Sequence, residues 1–382
     1  MRLASESLPD ILLPDILLIA PPQGRRALAF QASLERLGWP SARVVSYLDV
    51  LEGRAHLAEL VRPGSVVRFE SPGEDVPTEL HLIERGGGAS VDLAAGELAP
   101  LRAWYAGFSE VLAVLDAQLA QAAPHHRMQR SEHILSMFSK PETHARLSAA
   151  GVSVAPALPE IHSFDELMAQ ANERGWTRLF VKPAYGSSGS GVVALRWNAR
   201  NQVGGQIIAR TTARRIEGRL YNSRRLVNLT TRSEIVALID DLATHRLHVE
   251  QWLPKISVDG LTSDLRVVVI GGRAQHTLLR SSSGPVTNLH LGNKRGDIEA
   301  FKRSLGEKRW ADVQQLAESA LAAFPGALYA GVDVLVTPRA KALAVLEVNA
   351  FGDYHRGVEF GGHDTYAAEL LALQGEINAQ RP

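Results

Sequence analysis

The sequence predicts an α/β protein, with a small parallel α/β domain first and an α+β arrangement in the later, catalytic part. Strand and helix patterns alternate over residues 15–69, which is typical of a parallel sheet with right-handed crossovers. Two later stretches, residues 179–195 and 331–349, each contain a pair of short apolar strands. The chain length agrees with this division, because 382 residues suggest two or three domains.

The composition excludes several classes of function. Hydrophobic residues make up 45% of the chain, which is enough to fill buried cores and predicts a globular protein. Lys and Arg together number 41, as do Asp and Glu, so no net field draws the chain to nucleic acid or to an anionic membrane. The chain has no cysteine, which excludes disulfides, thiolate zinc sites and thiol nucleophiles. We therefore expect the chemistry to come from other groups.

The N-terminal stretch matches neither a membrane span nor a secretory signal. Pro14 and Asp15 interrupt the apolar run of residues 11–20, and the run is shorter than the ~20 residues that a bilayer requires. No strong basic region precedes it, so we expect a cytoplasmic protein. The sequence of residues 9–13 recurs at residues 14–18, and only the second copy leads directly into a loop and a helix. We interpret the first copy as a peripheral extension.

The periodicity of apolar residues predicts the elements of the first domain and of the helices that follow it. Strands are predicted at residues 15–20, 43–47 and 65–69. Helices are predicted at residues 25–37, 50–60, 98–123, 125–138 and 139–150. The loop at residues 70–75 follows a strand, where open α/β sheets bind ligands, but a plain turn is the favoured interpretation. No G-x-G-x-x-G follows the first strand, so a dinucleotide site is not expected.

A strand ending on Lys182-Pro183 is followed by a loop of glycines and serines and then by a second strand. Glycines let backbone N–H groups crowd round an anion, serines add hydroxyl donors, and the lysine adds a point charge. This pattern predicts a phosphate cradle, although its spacing is not that of a P-loop. A flexible hairpin loop is the alternative. The cradle residues are Gly186, Ser187, Ser188, Gly189, Ser190 and Gly191.

Two further segments separate this loop from the last third of the chain. Residues 198–228 carry several arginines among β-branched residues, which favours a solvated edge hairpin over an anion site. A helix is predicted at residues 233–243. Residues 248–253 then form a strand that Pro254 ends, and its terminus has free backbone groups that can pair with an adenine edge.

Three oxygen-bearing side chains share one face of the predicted hairpin at residues 331–349. Asp333 is flanked by valines on one strand, and Glu347 and Asn349 share one parity on the other. Two carboxylates and an amide carbonyl suit Mg²⁺, which prefers oxygen ligands. Ordinary solvent-facing acids are the alternative.

Taken in order, these motifs resemble the ATP-grasp superfamily, most closely the branch with glutathione synthetase and the ligases that add glutamate to a ribosomal protein. The similarity covers residues 139–357, over half the chain. It rests on Lys140, Lys182-Pro183, the loop 186–191, Glu250-Gln251-Trp252-Leu253, Asp264-Leu265-Arg266, the run 288–292, Gly331-Val332-Asp333 and Glu347-Val348-Asn349.

The resemblance implies a Rossmann-like pre-ATP-grasp domain at residues 1–123, a central subdomain with the glycine-rich loop at 124–254, and a C-terminal subdomain with the metal site at 255–382. It implies that Lys140 and Lys182 contact ATP phosphates and that the glycine loop closes over them. Residues Glu250, Gln251, Trp252 and Leu253 would hold adenine. Asp333, Glu347 and Asn349 would bind Mg²⁺, with Mn²⁺ as an alternative.

The implied reaction joins a carboxylate to an amine, through an acyl phosphate and with release of ADP. Arg266 and Arg280 would then face the phosphate or a substrate carboxylate, because a guanidinium binds such groups in bidentate fashion. The substrates would be small molecules or peptides. An ATP-dependent kinase and a nucleotide-binding protein without turnover are the alternatives.

The chain departs from the family pattern just after the metal motif. Where small residues, proline and glycine are common, it has Ala350-Phe351-Gly352-Asp353-Tyr354-His355-Arg356. The metal site is expected to survive this change, whereas the acceptor pocket is left undefined. Tyr354, His355 and Arg356 are candidates for that pocket, with a surface turn as the alternative.

Overall fold

The first sheet of the computed structural model is parallel, as the alternation of patterns predicts. The described residues are 13–73, 75–88, 94, 96–98, 100–186, 189–198, 206–352 and 355–379. The strands are β1 (Ile16–Ile19), β2 (Arg43–Val45), β3 (Val66–Phe69) and β4 (His126–Arg127), in the order β2-β1-β3-β4. The helices around them are α1 (Arg25–Arg36), α2 (Tyr47–Leu51), α3 (Leu57–Leu60), α4 (Val76–Arg85) and α5 (Leu101–Ala120).

Two element predictions for this region were wrong. The helix expected at residues 50–60 is two short helices, because the chain turns at Gly53 with φ +73°. The segment expected to be helical from residue 125 begins instead with β4, whose His126 N–H donates to the Ser65 carbonyl and extends the sheet. Two helices follow, α6 (Ser131–Phe138) and α7 (Lys140–Ala149).

The second sheet is antiparallel and carries the glycine loop between two of its strands. Helix α8 (Phe164–Glu173) precedes it, and α9 (Arg232–Ala243) packs on it. Its strands are β5 (Arg178–Pro183), β6 (Val193–Trp197), β7 (Ile207–Ile216), β8 (Arg219–Leu229) and β9 (Leu247–Gln251), in the order β8-β7-β6-β5-β9. The described part of the arginine-rich segment is the β7–β8 hairpin at the sheet edge, as predicted.

The third sheet is also antiparallel, and it contains the predicted hairpin of residues 331–349. Its strands are β10 (Ser257–Val258), β11 (Leu261–Ile270), β12 (Arg273–Ser282), β13 (Lys294–Arg295), β14 (Tyr329–Val336) and β15 (Leu343–Asn349), in the order β13-β12-β11-β14-β15 with β10 beside β11. Helices α10 (Ile298–Leu305) and α11 (Glu307–Ala322) pack against it, and α12 (Thr365–Ala379) follows. None of the described helices is long and apolar enough to cross a membrane.

A buried ion-pair cluster joins the first sheet to α12. Arg68 of β3 is fully buried, and its Nη1 and Nη2 donate to Glu369 Oε2 at 2.6 Å and Glu70 Oε2 at 3.2 Å. Such a charge is tolerated inside a protein when it is paired and hydrogen-bonded. Three aromatic rings also surround the guanidinium at 4.6–5.0 Å, those of Phe30, Tyr329 and Tyr366.

Glu369 is expected to make the stability of the protein depend on pH. Burial raises its pKa to about 7 from 4.5, although Arg68 opposes the rise. Between these two pH values the folded protein holds a proton that the unfolded chain releases. The contribution of protonated Glu369 to the free energy of unfolding is therefore fully present below pH 4.5 and is lost as the pH rises through 7. Glu369→Gln removes the titration. The melting temperature of the variant minus that of the wild type should therefore increase between about pH 5 and about pH 8.

Circular dichroism during thermal unfolding measures this difference. A difference that stays constant with pH would show that Glu369 does not titrate in this window.

Candidate active site

An open cleft of about 820 Å³ lies between the second and third sheets. Some of its lining is apolar, namely Ala155, Phe180, Val192, Leu253, Leu335 and Leu346. The charged residues that line it are Lys140, Lys182, Glu250, Lys255, Asp264, Arg280, Asp333 and Glu347. Ligand clefts combine apolar walls with a small number of placed polar groups in this way.

Lys140 and the start of α7 are held against the glycine loop. The backbone N–H of Lys140 donates to the Ala184 carbonyl at 3.0 Å, and its Nζ donates to the Gly186 carbonyl at 2.7 Å. The same Nζ lies 3.2 Å from Glu347 Oε1. The structure thus brings the predicted phosphate lysine into the cleft, beside one of the predicted metal ligands.

Lys182 pairs with Glu250 across neighbouring strands, β5 and β9. Its Nζ donates to Glu250 Oε2 at 2.6 Å, and His248 Nε2 lies 2.9 Å from Glu250 Oε1. Burial alone would raise the pKa of Glu250, but Lys182 and His248 outweigh it and hold that pKa far below its ordinary value. The Glu250 carboxylate, predicted to hold adenine, therefore anchors a lysine. The sequence analysis missed His248, whose two-residue spacing from Glu250 on one strand is the signal.

The rest of the predicted adenine segment divides between cleft and core. Gln251 and Leu253 line the cleft. Trp252 does not, and its ring packs against Phe180 with centroids 5.2 Å apart. Gln251 directly follows Glu250 and both line the cleft, so strand alternation alone does not decide which of these residues face it.

Part of the predicted phosphate cradle lines the cleft. Gly186, Gly189 and Ser190 do so, and Thr212 Oγ1 donates to the Gly189 carbonyl at 2.8 Å, which ties the loop to β7. Gly191 does not line the cleft, and a Cβ there would lie 2.8 Å from the Pro183 ring. The remaining two cradle residues, Ser187 and Ser188, lie outside the described residues.

Asp333 and Glu347 are directly paired across β14 and β15, so they share one face of the hairpin. Burial would raise the pKa of Glu347, but Lys140 and then Lys182 outweigh it and lower that pKa, so the group is a carboxylate. Asn349 pairs with Gly331, and its Nδ2 donates to the Gly331 carbonyl at 3.2 Å. It does not line the cleft. Within the described ranges no three His, Cys, Asp or Glu side chains form a cluster that could hold a metal ion.

Two arginines and a second aspartate complete a row of charges on the third sheet. Arg266 binds Asp333, and its Nη1 donates to the Gly352 carbonyl at 3.4 Å. Arg280 donates from Nε to Asp264 Oδ1 at 2.8 Å, and its Nη2 lies 3.0 Å from Asp333 Oδ2. Arg280 lines the cleft as predicted. Arg266 does not, and instead it holds Asp333.

The sequence analysis also missed Lys255 and Thr287. Lys255 Nζ donates to Asp264 Oδ2 at 2.7 Å and to Thr287 Oγ1 at 2.8 Å. Lys255 and Thr287 both line the cleft. Burial lowers the pKa of Lys255, although Asp264 opposes this. The available signal was a lysine directly after the proline that ends β9.

The loops named as substrate candidates lie elsewhere. Glu70 of the 70–75 loop is buried beside Arg68 and does not line the cleft, and Glu74 lies outside the described residues. Tyr354 also lies outside them. His355 is buried, and the carbonyl of exposed Arg356 accepts a hydrogen bond from Arg295 Nη1 at 2.7 Å.

No protein-family model and no curated protein matches the chain. Solved structures do. D-cycloserine synthetase DcsG has a TM-score of 0.55 at 13% identity, covering 95% of this chain and 99% of that one. A second similar structure is ATP-grasp ligase PsnB complexed with a phosphomimetic variant of its minimal precursor, Mg and ADP. It has a TM-score of 0.51 at 16% identity, covering 95% of this chain and 99% of that one.

Macrocyclase MdnC bound with precursor peptide MdnA from Microcystis aeruginosa MRC has a TM-score of 0.53 at 12% identity, covering 96% of this chain and all of that one (100%). At these identities the comparisons establish the fold alone. The chain has a mixed α/β fold similar to that of these proteins, which confirms the predicted α/β class.

The glycine loop is expected to move as part of a lid formed by residues 156–254. The loop must admit a ligand before it excludes water, and its few anchors leave room for local opening. Amide hydrogen exchange at Gly186, Gly189, Ser190 and Gly191 should therefore slow when ATP and Mg²⁺ are added. Amides of β1, which is buried in the first sheet away from the cleft, should not change and serve as the control. Exchange in the loop that is unaffected by ATP and Mg²⁺ would contradict a closing lid.

Proposed function

We propose that the protein is an ATP-dependent ligase that joins a carboxylate to an amine, with an acyl phosphate intermediate and release of ADP. The observation that carries this proposal is the position of Asp333 directly opposite Glu347, in one cleft with Lys140 and Lys182. Phosphoryl transfer needs this combination of oxygen ligands for a metal and cations for phosphates. Two of the similar structures are titled as a synthetase and an ATP-grasp ligase, the latter with Mg and ADP.

ATP would occupy the cleft with its base among the apolar residues and its phosphates among the lysines. Phe180, Leu253 and Leu346 offer apolar surface for the base, whereas the N–H groups of Gln251 and Trp252 already donate to the carbonyls of Pro156 and Arg178. Lys140 and Lys182 would contact the α- and β-phosphates. Gly186, Gly189 and Ser190 would approach the triphosphate closely, because residues with so little side chain leave the backbone N–H groups accessible.

The ion pairs of the cleft would exchange partners when ATP binds. Lys140 holds Glu347, Lys182 holds Glu250, and Arg280 holds Asp333. Asp333, Glu347 and Asn349 would hold Mg²⁺, which when bound neutralises phosphate charge. A carboxylate engaged in that way no longer needs its lysine, so Lys140 becomes available to a phosphate oxygen. Until then the pairs limit the cost of burying these charges.

The reaction would proceed in two steps. An oxygen of the substrate carboxylate attacks the γ-phosphorus, the bond from that phosphorus to its bridging oxygen breaks, and ADP leaves. The amine nitrogen then attacks the acyl carbon, inorganic phosphate leaves, and the nitrogen loses a proton. Arg280 would orient the carboxylate and stabilise the oxyanion of the tetrahedral intermediate, because Asp264 and Asp333 fix its guanidinium in advance.

Replacing Glu347 with Gln tests the central observation. The variant should keep the fold and lose turnover, because a neutral amide weakens a divalent-metal site and leaves Lys140 without its partner. ADP release, and hydroxamate formation with hydroxylamine as a trap for acyl phosphate, measure the result. Glu299→Gln, which changes an exposed acid on α10, is the matched control. Wild-type turnover in Glu347→Gln would refute the metal assignment.

Replacing Arg280 with Lys separates nucleotide binding from acyl chemistry. No nucleotide contact is assigned to Arg280, so ATP affinity should be nearly unchanged. Product formation should fall by ~100-fold or more, the scale of losing one preorganised oxyanion donor. Calorimetry with ATP and turnover of the same variant decide the matter. If ATP affinity falls as steeply as turnover, Arg280 is a phosphate ligand.

A further inference from the structure

The row of charges on the third sheet continues outward, past Arg280, to an arginine that the proposed mechanism does not use. Arg295 of the edge strand β13 pairs directly with Arg280 of β12. Residues paired in this way point to the same face of an antiparallel sheet, so Arg295 lies on the same face as Arg280, just outside the residues that line the cleft. Asp264, on the other side of Arg280, also pairs with it and shares that face.

Arg295 differs from the inner arginines in its partners. Arg266 and Arg280 each bind a carboxylate, whereas Arg295 donates to the carbonyl of Arg356, a third arginine. Among the described residues no carboxylate lies within ion-pair distance of Arg295. Arg280 has Asp264 and Asp333 beside it, so an anion next to Arg295 would supply the opposite charge that Arg295 lacks.

The position of Arg295 is set by close packing. The next residue, Gly296, donates its N–H to the Leu279 carbonyl at 2.8 Å, and a Cβ there would lie 2.6 Å from the Leu279 side chain. Asn293 Nδ2 donates to the carbonyls of Val286 and Asn288 at 2.8 Å each. Val286 and Asn288 line the cleft, so Arg295 follows directly on a tied loop that forms part of the cleft wall.

We propose that Arg295, together with Arg280, selects acyl donors that carry a second carboxylate. The reacting carboxylate would lie beside Arg280 and Asp333, and the second one would lie between Arg280 and Arg295. Neighbouring strands are about 5 Å apart, so the two carboxylates of the donor are separated by about this distance. The donor is a short dicarboxylate, either a free acid or the acidic C-terminal residue of a peptide. This inference rests on the proposed ligase function.

Lys294 provides a matched control. It is adjacent to Arg295, carries the same charge and is likewise exposed. It pairs with Ser281, whose Oγ contacts Ser263 Oγ at 2.8 Å, so it lies on the opposite face of the sheet. If ligand binding depended on the general positive field of this surface, Lys294 and Arg295 would contribute alike. If it depended on a specific contact, only Arg295 would contribute.

The test measures ligand binding by calorimetry in the presence of Mg²⁺ and a non-hydrolysable ATP analogue. The ligands are glutarate and its mono-amide, and a peptide ending in glutamate with the same peptide amidated at its C-terminus. In at least one of these pairs the wild type should bind the dicarboxylate about tenfold or more tightly than its amide, the scale of a hydrogen-bonded charge pair. Arg295→Gln should abolish this preference, and Lys294→Gln should keep it. The pair that shows the preference identifies the source of the donor.

Equal binding of dicarboxylate and amide in both pairs, or binding of neither, would overturn the inference and leave the nucleotide site intact. Equal loss in Arg295→Gln and Lys294→Gln would also overturn it, because the effect would then come from the general field. A wild-type protein that fails to bind the ATP analogue with Mg²⁺ would instead refute the proposed function.

Discussion

Charge balance on one face of the third sheet is the constraint on which the site depends. Asp333 lies between Arg266 and Arg280, and Asp264 lies between Arg280 and Lys255, so each buried charge has an opposite charge beside it. The register of β11, β12 and β14 sets these pairs. Buried ions are tolerated because they are paired, and a shift of register by one residue would turn every one of them to the other face.

Three parts of the chain meet at the glycine loop. Tyr105 of α5 stacks on Tyr185 with ring centroids 4.0 Å apart, and Leu101 of the same helix lies beside Gly186. Lys140 reaches the loop from α7. The loop is thus supported by the helices that follow the first sheet as well as by its own strands. Ligand binding in the cleft and the packing of α5 are therefore physically connected.

Local sequence patterns predicted the features that depend on which face of a strand a side chain points to. The alternation of polar and apolar residues was enough to place Asp333 and Glu347 on one face of a hairpin and Lys182 at a strand end, because side chains of a strand alternate between faces. Partner choice was not predictable in this way. Glu250 binds Lys182, Arg266 binds Asp333, and Trp252 packs on Phe180, since each choice depends on a strand distant in sequence.

The sequence by itself determined the type of the protein: a parallel α/β domain, a strand–glycine loop–strand segment with a lysine, and a hairpin with oxygen-bearing side chains. These features are local, and composition and periodicity carry them. Only the tertiary structure decided which charges meet. It placed Lys255 and Thr287 on Asp264, removed Asn349 and Arg266 from the cleft lining, and set Arg295 beside Arg280. The physical reason is that sheet register and strand order bring together residues whose separation in the chain gives no local signal.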